Sequence, residues 1–209
     1  DRSPSRGLGD VYKRQVMIFA SAMMVGGDLG KGTVAWSYLS SNRRVGIVLS
    51  QFVVILVSLL LAATLGIAVG TLLIAALGGD IDFTSFHQWP DCNRVVFAYL
   101  EWTGFSLLAM GLAYLLRSGT FAAMILVVEF FVLETALMAF DASWAEALLS
   151  CLPFANMQTL VLGSDLALDH SRGVSALILG VTLAVCVGGA CVVSLSLIHI
   201  SEPTRRTPI

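Results

Sequence analysis

Three carboxylates stand inside otherwise apolar stretches of the chain: Glu101, Glu129 and Glu134. An ionisable group in hydrocarbon is costly, so such residues mark ion or substrate pathways, proton relays or buried polar pairings. Glu129 falls roughly ten residues into its stretch, near mid-bilayer at about 1.5 Å per residue, whereas Glu101 and Glu134 fall nearer one interface. Glu129 and Glu134 are five positions apart, which is about 140° around an α-helix. That spacing predicts no paired acid/base site, and no basic residue falls inside a predicted span to neutralise the three. Three roles stay open: hydrogen bonding between helices, lining of a pathway, and a proton relay at Glu129.

A second constellation is the polar segment from Gly26 to Arg44, GGDLGKGTVAWSYLSSNRR. Asp28, Lys31, Arg43 and Arg44 bracket Val34, Ala35, Trp36, Tyr38 and Leu39, some of which can share one side of a short interfacial helix. Such an element can dock a cytoplasmic partner; an ordinary basic loop at the cytoplasmic surface is the other reading. Gly66 and Gly70 form a GxxxG pair that predicts helix packing. No catalytic pattern accompanies these groups. HExxH, a nucleophile elbow and GxxxxGK[ST] are all absent. Cys92, Cys151, Cys186 and Cys191 lack metal-ligand spacing, and His87 with Asp82 or His170 with Asp169 specifies no tetrahedral set. The expectation is no enzyme, no metal and no cofactor on this chain.

The elements that carry these residues follow from composition. Of 209 residues 57% are hydrophobic and 12% charged, against roughly 25% charged in soluble domains. The chain is too poor in polar side chains to cover a water-facing surface. A net charge of −2 offers no basic face for nucleic acid. Long, continuous apolar runs, without the ten-residue alternation of barrel strands, predict helices, which satisfy their own backbone in lipid. The fold class expected is all-α, a polytopic helical membrane protein. Spans are expected at about 16–25 (partial), 46–78, 95–116, 120–140 and 173–193. Residues 141–172 are expected to form an outer segment with an interface-lying helix and Pro153 as a breaker. Residues 1–15 and 194–209 differ in character and resemble translated linker sequence, so they are expected to be non-native leader and tail, leaving 16–193 as the membrane domain. That core holds 6 basic and 11 acidic residues.

Lys31, Arg43, Arg44 and Arg117 fall on one side of the spans, and Arg94 and Arg172 on the other. The positive-inside rule therefore assigns 26–44 and 117–119 to the cytoplasm, and 80–94 and 141–172 to the outside.

The segment Asp28 to Arg44 resembles the corresponding region of ABC-2 type transporter permeases. In that family an acidic residue ending the second span precedes a Gly-Thr pair, a short helix, a Ser/Pro/Arg turn and the third span. Here Asp28 stands in the acidic position, Gly32 and Thr33 match the pair, and Leu39, Ser40 and Arg43 match the turn. Ser41 and Asn42 replace a frequent proline, and Gln51 a common lysine. The layout is similar too, as a six-span member would look with its first span missing and its second truncated. The resemblance implies the membrane subunit of an ATP-driven transporter, an exporter, in a bacterial inner membrane. It would pair with a second permease half, as a homodimer or heterodimer, and with a cytoplasmic ABC ATPase subunit that binds the ATP. Asp28, Lys31, Gly32, Thr33, Trp36, Arg43 and Arg44 would couple to that ATPase. A proton-coupled carrier using Glu129 and a non-transporting membrane anchor or assembly protein are the alternatives.

Overall fold

The computed structural model describes residues 4–31, 44–79, 91–140, 142–162, 168 and 170–196. The helices are α1 (Pro4–Gly30), α2 (Arg44–Ala76), α3 (Asp91–Leu116), α4 (Gly119–Val128), α5 (Thr135–Leu137), α6 (Ser143–Leu149), α7 (Pro153–Leu162) and α8 (Arg172–Ser196). A π turn, Glu129–Glu134, joins α4 to α5. No strand occurs among the described residues. The all-α reading is thus the observed one.

Four helical segments are long and apolar enough to cross a membrane: Val45–Ala76, Ala98–Leu116, Gly119–Leu137 and Arg172–Leu195. They follow the expected spans at 46–78, 95–116, 120–140 and 173–193 closely. The central one is α3, 61% buried, against 17% for the α2 span and 11% for the α8 span. Leu65 and Leu72 of α2 and Leu177 and Val185 of α8 point outward. Large apolar side chains directed outward are what a lipid-facing circumference requires, since nothing is gained by hiding them from hydrocarbon. The structure is a multi-pass helical membrane protein by this criterion.

Backbone chemistry sets the turns. Gly78, with φ of 77°, ends α2, and the Gly79 N–H reaches back to the Ile74 carbonyl at 2.9 Å. At the other end of the bundle Arg117 takes the same left-handed role with φ of 53°, and the Ser118 N–H bonds the Ala113 carbonyl at 3.2 Å. Ser118 then caps α4, its hydroxyl accepting the Phe121 N–H at 3.4 Å. This three-residue reversal makes α3 and α4 the close antiparallel pair expected from the short link.

α1 is continuous from Pro4 to Gly30 and runs through the 15/16 boundary. One expectation changes. The outer segment 141–172 is not confined to the interface. Phe154, Ala155, Asn156, Met157 and Thr159 of α7 are buried, and the Phe154 ring meets Phe105 and Phe130 of the spans. α7 therefore packs into the bundle, whereas Ala145 and Leu149 of α6 pack in a separate cluster with Leu137. Pro153 separates α6 from α7, as expected of a breaker, and starts α7: a proline is suited to the first helical position, where its missing N–H would have no intrahelical partner.

Candidate functional site

The acidic residues converge through an irregularity that periodicity does not contain. In the π turn the helix is wound more loosely than an α-helix, so residues five apart return to one face. Glu129 and Glu134 consequently lie within hydrogen-bonding reach of one another. The expectation that they do not share a face is corrected: it holds for α-geometry only. Two carboxyl groups bond to each other only when a proton lies between them. The Thr135 hydroxyl donates to the Phe130 carbonyl at 3.4 Å, offering a partner to a carbonyl loosened by the wider turn.

Glu134 also serves a second element. It is fully buried, and its Oε1 accepts the Phe154 N–H at 3.0 Å, with the Ala155 N–H as a further donor. These are among the first N–H groups of α7, which have no carbonyl within their own helix. Glu134 thus does from a neighbouring span what a capping Ser or Asp does from its own chain, and its charge suits a helix N-terminus.

Glu101, on α3, is buried and meets Arg14 of α1, with Arg14 Nε 2.6 Å from Glu101 Oε1. The same guanidinium lies over two rings, its Cζ 5.8 Å from the Phe130 centroid and 5.4 Å from that of Phe154. The expected lack of a basic partner is corrected by the N-terminal extension of α1, which carries Arg14 to the level of Glu101.

At the opposite end of the bundle, Gln51 of α2 donates through Nε2 to Asp28 Oδ2 at 2.5 Å and accepts from the Tyr114 hydroxyl. This polar tie joins the end of α1, the start of α2 and the end of α3. Lys31 is exposed just past α1, and Arg44 opens α2. Gly32, Thr33, Trp36 and Arg43 lie outside the described residues. Among the described residues, no atom lies within 4 Å of where a Cβ would stand at Gly66 or Gly70. The close backbone approaches are instead Gly26 against Gly119 and Gly111 against Cys186, where an added Cβ would lie 2.8 Å from the Cys186 Cβ.

Residues that sequence reasoning did not single out are Tyr114, Phe130 and Asn156. Asn156 is buried, donates to the Ser150 and Leu152 carbonyls at 2.9 and 2.7 Å, and meets His170 Nε2 at 3.0 Å. It ties the α6–α7 turn to the approach to α8. A lone asparagine in an apolar helix beside a proline was its available signal.

Comparison with protein-family models, with curated proteins and with solved structures returned no match.

Proposed function

We propose that the chain is the membrane-spanning subunit of an ATP-driven transporter of ABC-2 type, supplying the pathway and coupling to a separate cytoplasmic ATPase. The observation that carries this reading is the Asp28–Gln51–Tyr114 tie. It joins the ends of the helices on either side of residues 32–43, so force applied to that segment reaches α1, α2 and α3 together. Such transmission needs a rigid attachment to movable helices. Asp28 and Gln51 are also the two positions at which the resemblance puts an acid and a lysine.

The test is co-expression with a candidate ABC ATPase subunit and purification through a tag on this chain. The ATPase is expected to co-purify and to be lost on Arg43→Glu/Arg44→Glu. Retention at full stoichiometry in that double variant overturns the assigned contact.

The Glu129–Glu134 contact favours a second reading, a proton-coupled carrier. Under it, transport stops when the proton gradient is collapsed with ATP maintained, and Glu129→Gln has the same effect. Transport that survives both perturbations removes the carrier reading.

A further inference from the structure

We propose that the outer third of α2, Leu65 to Leu77, is a lipid-binding overhang whose partner is the acyl-chain region of a bilayer thicker than the α3 and α4–α5 spans require. Those two spans hold 19 residues each, or about 28 Å, which matches roughly 30 Å of hydrocarbon. The α2 span holds 32 residues, or about 48 Å. Even a lean of about 40°, the upper end for membrane helices, lets that hydrocarbon enclose only about 39 Å of helix. Two contacts place most of the surplus on the outer side. At the inner end Gln51 meets Tyr114, and farther out the Tyr99 hydroxyl lies 2.7 Å from Thr64 Oγ1. These ties hold α2 antiparallel to α3, so α2 does not lean independently of the bundle. Tyr99 is the second residue of the α3 span, whereas at Thr64 the stretch Leu65–Ala76 of the α2 span still lies ahead. Beyond Tyr99 the α3 sequence turns polar at Asp91 to Arg94, and Arg94 is level with about Val69 of α2. From there α2 continues apolar.

The overhang is apolar on every side. None of residues 65–77 is buried, and Leu65, Leu72 and Leu77 are 65%, 70% and 86% exposed. At about 100° per residue, Leu65 and Leu72 stand on one side of the helix and the exposed Ile67 and Ile74 on the opposite side. No charged residue occurs between Val45 and Gly79. Thr71 donates its hydroxyl to the Ala68 carbonyl at 2.8 Å, so it needs no partner from outside the helix. A helix apolar all round requires an apolar medium all round. One docked helix would cover a single stripe of it, whereas acyl chains cover the whole circumference. The lipid-facing surface is also continuous here, since Leu177 and Val181 of the neighbouring α8 point outward as well. Thickening the surrounding outer leaflet, at a small cost per Å, keeps the overhang out of water. The inference rests on the multi-pass fold and is independent of the permease reading.

The test uses the full chain with Cys92, Cys151, Cys186 and Cys191 replaced by alanine and one cysteine returned, as Leu73→Cys or Val54→Cys. Each variant is placed in nanodiscs of dimyristoleoyl, dioleoyl or dierucoyl phosphatidylcholine, in order of increasing thickness, and a membrane-impermeant maleimide reads exposure to water. Leu73→Cys is expected to react about tenfold faster in the thinnest bilayer than in the thickest, because a small cost per Å of mismatch accumulates over several Å. Val54→Cys, which faces outward between the two ties, is expected to stay unreactive throughout. Amide exchange over 65–77 in the unsubstituted chain, expected to slow as the bilayer thickens, gives the same ordering should the cysteine-free background fail to fold. Equal reaction of Leu73→Cys at every thickness overturns the proposal, because the overhang then stands in water. Equal protection at every thickness overturns it too, because a protein cover, from a second copy or from residues 80–90, then takes the place of lipid.

Discussion

Replacing Glu134 by leucine removes the only side chain described as accepting the first N–H groups of α7. The substitution nearly preserves volume, so the cavity contribution is small and the effect falls on hydrogen bonding. Phe154 N–H, at 3.0 Å from Glu134 Oε1, loses its acceptor, and so does Ala155 N–H. Orphaning a buried donor costs roughly 1–3 kcal/mol, and losing a helix cap costs about 1 kcal/mol. We expect Glu134→Leu to destabilise by about 2–4 kcal/mol and Glu134→Gln, which keeps a carbonyl oxygen in place, by about 1 kcal/mol or less. Unfolding of the purified chain in mixed micelles by added SDS measures the difference. Amide exchange over 153–160 locates it, because α7 should release before the spans. A leucine variant within about 0.5 kcal/mol of the parent, with exchange unchanged, would refute the cap. Equal damage from glutamine and leucine would move the effect from the acceptor to the charge.

Three further substitutions probe the backbone and the polar tie. Gly119→Ala sets a methyl group against the Ala22 carbonyl and should destabilise by about 1–3 kcal/mol in the same titration. Gly66→Ala and Gly70→Ala, whose added methyl groups meet no described atom within 4 Å, should leave monomer stability unchanged. Arg117→Gly should raise thermal stability by about 1 kcal/mol, because the residue is exposed and holds φ of 53°. Gln51→Leu leaves Asp28 and Tyr114 without their glutamine partner; we expect it to cost roughly 1–3 kcal/mol and to weaken retention of a co-expressed ATPase, read by pull-down.

The spans were legible because continuous apolar runs have few alternatives in lipid, and the observed helices follow them to within a few residues. Turn chemistry was legible at Gly78 but not at Arg117, where an arginine fills a position that glycine usually takes. The site was less legible for a specific reason. Angular arguments assume 100° per residue, and the π turn at 129–134 breaks that assumption where the carboxylates lie. Pro153 was legible as the break between α6 and α7, though not as the first residue of a buried helix. Arg14 was hidden by its surroundings, a charged stretch unlike the chain that follows, although α1 passes through both without interruption.

The π turn also has a bearing on how this helix tolerates length changes. Such a turn holds one residue more than regular winding needs, so deleting a single position between Phe130 and Leu133 would let the segment relax to continuous α-helix. The helix beyond the deletion would then keep nearly the same bearing relative to α4, because regular winding with one residue fewer reaches the same phase. The surplus residue is absorbed locally, and the rod on either side keeps one direction.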